Sequence, residues 1–494
     1  MNFFKSNDTG SNVFVVMGAS GDLAKKSIYP ALFYLFKAGS LPENVSIIGY
    51  ARSKLTVDTL RNRVEPYFDL EDESPTGDTK SQLEQFWELN HYVAGDYSDY
   101  AKSTLLTRTL NELEADFSVT NRTFYIALPP SVYTHVTELI AKHWMPENGS
   151  GLVALEKPFG RDTESSRQLD AHLKRLFPKD NLVRVDHYLC LEMMQTIPFL
   201  RFGNPIFSST WNKENVASVL ISFKESFGTE GRGGYFDNNG IIRDVMQNHL
   251  LQILTTVAME PPKSMAPQDV TAAKIGVLKA IQPVRMEDVV LGQYVGNPEG
   301  KLSQREGYLD DKTVPQGSKT STFAGIVFKI DNSRWKDVPF IMVAGKALDE
   351  TKDEVRIQFK EPSINPNLDI QMPKRSSLAI KVKPTEEICL LTTVKQPGLG
   401  KSEMDQAELK FKYKTHYQEK VLAGPYERLI KGLINRTEDV QFDSREELEV
   451  SWSLFTPLLE QIENENIAPF PYKFGSQGPP EMIDMLLDNN FRST

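Results

Sequence analysis

The stretch Val13-Phe-Val-Val-Met17, followed without a break by Gly18-Ala-Ser-Gly21, constrains the fold more than any other part of the chain. An apolar run with no alternation reads as a strand buried on both faces, as found where helices cover a parallel sheet. The glycines then require a tight turn, and Lys25 to Lys37 has the composition of a helix. Strand, glycine turn, helix is the setting of a phosphate-binding turn. Gly18 permits the turn, Gly21 lets the backbone approach a pyrophosphate, and the start of the helix supplies free N–H donors. The usual middle glycine is replaced by Ser20. Gly18, Ala19, Ser20, Gly21, Asp22 and Leu23 are the expected cofactor-binding segment.

The next strand is expected at Val45–Tyr50 and ends in Ala51-Arg52-Ser53-Lys54. An NAD site places Asp or Glu at this strand end to hold the ribose 2′-hydroxyl, whereas Arg52 and Ser53 suit a 2′-phosphate. NADP is therefore expected over NAD; the alternative is that Arg52 and Lys54 are a solvated strand end. Further strands of this sheet are expected at Thr123–Leu128 and Leu152–Leu155, and Leu83 to Glu114, ahead of them, is polar and largely helical. The second leads into Glu156-Lys157-Pro158-Phe159-Gly160. Ligands of doubly wound sheets bind at the carboxyl ends of strands, so Lys157 is placed to face the crevice.

A chain of 494 residues exceeds the usual single domain, and two are expected. A net charge of −10 speaks against nucleic acid or an anionic membrane as partner. No apolar run approaches the roughly 18 to 20 residues of a membrane span. The N-terminus MNFFKSNDTGSN lacks the apolar stretch of a signal peptide, and the terminal Arg-Ser-Thr is not a peroxisomal address. Cys190 and Cys389 offer neither a disulfide framework nor metal-ligand spacing, so a reduced, cytoplasmic protein with no metal is expected.

In the second half, Glu225 to Gln252 opens with a glycine-rich loop and runs into a helix carrying His249. Ile242, Val245, Met246 and Ile253 follow helical spacing, and His249 falls on the same stripe. It is either a satisfied core histidine or a group aimed at a pocket. Upstream, Asp186, His187 and Tyr188 stand in succession; an aspartate can orient an imidazole elsewhere in a fold.

The chain resembles the glucose-6-phosphate dehydrogenase family over nearly its whole length. The resemblance is carried by GASGDLAKK from Gly18, YARSKL from Tyr50, EKPFG from Glu156 and DHYL from Asp186. FGTEGRGGYFD from Phe227, GIIRDVMQNHLLQ from Gly240 and GKAL from Gly345 complete it. It implies an α/β plus α+β protein: an N-terminal Rossmann-like domain, expected over 1–185, and a C-terminal domain with a large, mainly antiparallel sheet over 186–494. Alternating or apolar runs at Val216–Lys224, Thr322–Ile330, Val355–Lys360, Leu378–Val382 and Glu408–Tyr413 agree with such a sheet. The resemblance implies a homodimer or homotetramer. It assigns His249 as the base at the sugar C1 hydroxyl and Asp186 as the group that holds that imidazole. Lys157 is implied to contact sugar and cofactor, Glu225 and Asp244 the sugar hydroxyls, and His187, Tyr188 and Lys346 the 6-phosphate.

The chain also departs from the family. Where the family motif runs Asp-His-Tyr-Leu-Gly-Lys-Glu, Cys190 and Leu191 stand for Gly and Lys. If the segment is helical, Leu191 shares a face with His187, and a cation is lost beside the phosphate. The same hydride chemistry on unphosphorylated glucose is thus an alternative, as is a non-catalytic NADP-binding paralogue. A rival oxidoreductase of the glucose–fructose type shares Lys157 but lacks the Asp-His-Tyr-Leu segment. Many eukaryotic members bind a second NADP beside the sheet. Lys352 and Arg356 match part of that site, but Lys381, Cys389, Leu391 and Gln477 do not, so a second site is expected to be weak or absent.

Overall fold

The computed structural model describes residues 10–68, 77–97, 103–362, 374–398, 404–417, 423–436 and 444–492. The two chain ends read above for targeting signals fall at or beyond these limits, residues 1–9, 493 and 494 being outside them. Two compact units are formed. The first comprises Met1–Gly160, Glu164–Cys190 and Ala423–Arg445; the second comprises Arg161–Thr163, Leu191–Leu422 and Glu446–Thr494. The first unit is therefore not one continuous stretch ending near 185, because a late segment returns to it.

The first unit is built on a parallel sheet of β1 (Ser11–Met17), β2 (Val45–Ala51), β3 (Asn90–Ala94), β4 (Thr120–Ile126), β5 (Gly149–Glu156) and β6 (Leu182–Val185). Its order is β3-β2-β1-β4-β5-β6. The order reverses at β1, which pairs in parallel with both β2 and β4. A reversal of this kind opens a crevice at the strands' carboxyl ends. Non-alternating apolar sequence explains the position of β1, whose Val13 to Met17 are all buried. The late helix Pro425–Asn435 joins this core through Leu429, Ile430 and Leu433.

The second unit carries a sheet of β7 (Val216–Lys224), β8 (Val289–Val295), β9 (Phe323–Lys329), β10 (Pro339–Gly345), β11 (Lys352–Phe359), β12 (Ser377–Lys383), β13 (Glu387–Lys395), β14 (Met404–Lys412) and β15 (Phe470–Lys473). The order is β14-β13-β12-β11-β7-β10-β9-β8-β15. Most pairs are antiparallel, as expected, but β7 with β10 and β8 with β15 run parallel. Among the described residues, no helix is long and apolar enough to cross a membrane.

Candidate functional site

In the first unit, the glycine turn sits at the carboxyl end of β1. Gly18 has φ +95°, and a Cβ there would meet the Ala127 carbonyl oxygen at 2.4 Å. Only glycine fits this close approach between the ends of β1 and β4. The turn is tied to β2 because the amides of Gly18 and Ala19 both donate to the Tyr50 carbonyl, at 2.8 and 3.2 Å. Ser53 Oγ donates to Ser20 Oγ at 3.3 Å, so the end of β2 is joined to the turn side chain to side chain. Arg52 is exposed at that strand end. Asp22 is exposed and paired with Lys25 at 2.9 Å, while Leu23 packs against the core. The helix after the turn begins with a π-helical wind, Ala24–Ile28, before becoming α-helical over Tyr29–Lys37.

Further along the same sheet edge, Glu156 ends β5 and Lys157 follows it. Lys157 is partly buried and Glu156 fully so. Tyr125 Oη donates to Glu156 Oε1 at 2.5 Å, and Tyr133 Oη donates to the Glu156 carbonyl at 2.7 Å. Burial pushes the Glu156 carboxyl up to about 7; the Tyr125 hydrogen bond opposes this and the charge of Asp186 adds to it.

After β6, Asp186 is 1 % exposed and its Oδ1 accepts from the Tyr188 amide at 2.9 Å. His187 to Cys190 forms a single 3₁₀ turn. The His187 ring meets Tyr188 edge-on at 5.2 Å and lies nearly parallel to Tyr426, at 5.1 Å and 20°. Leu191 is extended (φ −66°, ψ 135°) and precedes the helix Glu192–Phe202. The expectation that His187 and Leu191 share a helical face is thereby corrected: the segment is a 3₁₀ turn followed by an extended residue, so four-residue spacing aligns nothing.

In the second unit, register builds the site. β7 and β10 are parallel neighbours with Lys224 opposite Gly345. The residues that follow, Glu225 and Lys346, therefore emerge side by side at the carboxyl ends, and their side chains form an ion pair. The Glu225 amide donates to the Gly345 carbonyl at 2.9 Å, and Tyr472 Oη donates to the Lys346 carbonyl at 2.7 Å. Asp244 stands 4.0 Å from Lys346 Nζ. The ammonium also lies over the rings of Phe236 at 5.4 Å and Phe227 at 6.0 Å.

The helix that carries Asp244 and His249 is not α-helical at that point. Ile242–Leu250 is π-wound and becomes α-helical only over Leu251–Ala258. An α-helical period sets residues five apart well around the axis, and i→i+5 winding reduces that offset. Asp244 and His249 stand five residues apart on this π-wound stretch, the first partly buried and the second buried. His249 is 3 % exposed, and its amide donates to Asn248 Oδ1 at 2.7 Å. Below it, Gln252 accepts from Lys274, which forms a buried ion pair with Glu447 at 2.6 Å. This pair anchors the histidine helix to the helices Pro267–Ala280 and Arg445–Asn464.

Of the predicted residues, the structure brings Glu225, Asp244 and Lys346 together and places His249 one π-turn from Asp244. In the other unit it gathers Asp186, His187 and Tyr188 on one turn. In the sequence Glu156 stands out only as part of a motif, and Tyr426 not at all. Tyr426 lies far along the chain on an ordinary amphipathic helix, and no local signal in the sequence ties it to His187.

Comparison with known proteins agrees over nearly the full length. Residues 15–196 match the family model "Glucose-6-phosphate dehydrogenase, NAD binding domain". Residues 198–493 match "Glucose-6-phosphate dehydrogenase, C-terminal domain". The glucose-6-phosphate 1-dehydrogenase of Ceratitis capitata is 47 % identical over 481 residues, covering 97 % of this chain and 90 % of its own. The glucose-6-phosphate 1-dehydrogenase 2 of Mus musculus is 46 % identical, covering 98 % and 92 %. A solved glucose-6-phosphate dehydrogenase in complex with its substrate superposes with a TM-score of 0.90 at 41 % identity, over 99 % of this chain and 100 % of that one. The enzyme of Mycobacterium avium gives 0.80 at 29 % identity, over 97 % of each chain. On the strength of both family models and these relatives, the chain belongs to the glucose-6-phosphate dehydrogenase family.

Proposed function

We propose that the protein oxidises glucose 6-phosphate at C1 to its 1,5-lactone with NADP. The observation that carries the proposal is the second unit's cluster, in which Lys346 is held by Glu225 and Asp244 beside the π-wound helix of His249. Two carboxylates present acceptors to several hydroxyls at once, with an ammonium beside them for an anion. A sugar needs this, because each buried hydroxyl left unpaired costs about 1–3 kcal/mol.

The glycine turn fits a dinucleotide. Its Gly18 approaches β4 as no other residue could, and the turn lies where the strand order reverses. Gly18 to Leu23 would hold the pyrophosphate, Arg52 and Ser53 the 2′-phosphate, and Lys157 the part nearest the sugar. The chemistry that bound NADP supplies is a hydride acceptor. Loss of hydride from C1 leaves an oxocarbenium-like carbon, and removal of the O1 proton turns it into a neutral lactone. His249 takes that proton, and Asp186 orients its imidazole. General-base help of this kind is worth about 10²–10⁴ in rate.

His187, Tyr188 and Lys346 bind the 6-phosphate. With Leu191 in place of the family's lysine, phosphate binding lacks one charge-assisted hydrogen bond, worth about 1.5–3 kcal/mol. A homo-oligomer and a cytoplasmic location complete the reading. A second NADP beside the sheet would bind weakly: Arg356 is already paired with Glu354 at 2.8 Å, and Lys381 with Glu387 at 2.9 Å. Following NADPH absorbance with glucose 6-phosphate and glucose in parallel tests the proposal. Faster turnover per unit concentration with the phosphate ester is expected; turnover of neither sugar would reject an enzymatic role.

A further inference from the structure

The first unit buries a carboxyl that the chemistry above leaves unused. Glu156 is 5 % exposed, and its side chain accepts from Tyr125 Oη at 2.5 Å. Tyr426 also hydrogen-bonds that carboxyl, and the charge of Asp186 helps hold its hydroxyl protonated. The ring of Tyr426 is in turn stacked on His187. Strand β4, the end of β5 and the helix Pro425–Asn435 therefore meet in one chain of contacts that ends on the imidazole.

A carboxyl is a costly choice for a buried site that only needs filling, since an unpaired buried charge is strongly unfavourable. Here the cost is met by hydrogen bonds from phenols, and partial protonation near neutral pH spares Asp186 a full charge at its side. An imidazole turns about χ2 in a broad torsional well. Something must hold its plane if one ring nitrogen is to point at an anion, and a parallel aromatic face does so.

We infer that Tyr426 is a positioning residue for His187, and that Glu156, braced by Tyr125, fixes Tyr426 through its hydroxyl so that the three set affinity for the phosphate end of the sugar. The inference rests on the reading of His187 as a phosphate ligand. Neither Glu156 nor Tyr426 is assigned contact with the reacting carbon.

The test is steady-state kinetics with glucose 6-phosphate and with glucose, plus competitive inhibition by inorganic phosphate, on the full-length protein and four variants. Tyr426→Leu is expected to raise KM for glucose 6-phosphate and the inhibition constant of phosphate by about tenfold. Its kcat with glucose 6-phosphate and its kcat/KM for glucose should stay within about twofold of wild type, a split that general loss of structure would not give. Tyr426→Phe keeps the ring and loses the hydroxyl, and should shift in the same direction by a smaller factor. It also serves if the leucine variant does not fold. Glu156→Gln still accepts from the phenols and should stay close to wild type. His187→Asn separates the two levels of the argument. If it weakens phosphate binding but neither Tyr426 variant does, the positioning role falls alone; if it too leaves phosphate binding unchanged, the phosphate reading of His187 falls and takes the inference with it. Equal losses for both sugars in the Tyr426 variants would also overturn the inference.

Discussion

Glu225 and Lys346 are the residues next after two parallel neighbouring strands, and the register of β7 on β10 makes them partners. Neither could be paired from the sequence, where they are 121 residues apart. Because the hydroxyls Glu225 is proposed to bind are common to both sugars, Glu225→Gln should raise KM for glucose 6-phosphate and glucose alike, by about 5- to 150-fold. An effect on the phosphate ester alone would show that Glu225 acts only by releasing Lys346.

The exposed guanidinium of Arg52 ends the strand whose Ser53 reaches the glycine turn. Replacing it by alanine removes the charge-assisted contact proposed to the 2′-phosphate and should weaken NADP binding about 10- to 150-fold, leaving NAD binding nearly unchanged. Titration calorimetry with both dinucleotides measures this. Equal loss for the two would mean that Arg52 acts on the fold of the strand end.

Leu191→Lys restores the charge that the family usually carries. It should tighten glucose 6-phosphate by about 10- to 150-fold and leave kcat/KM for glucose unchanged or lower. The extended backbone of Leu191 makes this a real test, since the lysine would leave the 3₁₀ turn at a different angle from a helical residue. An unchanged KM would place position 191 away from the phosphate.

Much of the first unit was legible because physics there is local: a non-alternating apolar strand, a glycine turn and a strand-end arginine all speak within a few residues. What failed needed long-range information. β3 (Asn90-His-Tyr-Val-Ala94) is a half-polar edge strand inside a polar stretch, and its pairing with β2, not its composition, makes it a strand. β10 is apolar throughout and begins with Pro339, so periodicity cannot separate it from a buried helical segment. The π-winding around His249 was equally hidden, since the apolar positions of that helix satisfy an α-helical template. Tyr426 was unreadable for the plainest reason: a ring stacked on a residue far away in sequence leaves no mark on its neighbours.

Glu156 gives the stability of the protein an unusual slope with pH. Its carboxyl is raised from 4.5 to about 7 on folding, chiefly by burial. Between those values the folded chain holds the proton more firmly than the unfolded one. The stabilisation is complete below the unfolded value and is lost as pH rises through about 7, a change of roughly 3 kcal/mol. Glu156→Gln lacks this titration. Urea unfolding at about pH 5 and about pH 8 should show wild type losing more stability than the variant; a difference between the two proteins that does not vary with pH would contradict the assignment.

The central claim is that His249 removes the C1 hydroxyl proton as hydride leaves. The most direct measurement is the rate of NADPH formation from glucose 6-phosphate by His249→Asn, on protein shown by circular dichroism to be folded and by titration to bind NADP as wild type does. The account predicts a kcat at least about a hundredfold lower. Wild-type-like turnover in that variant would contradict it.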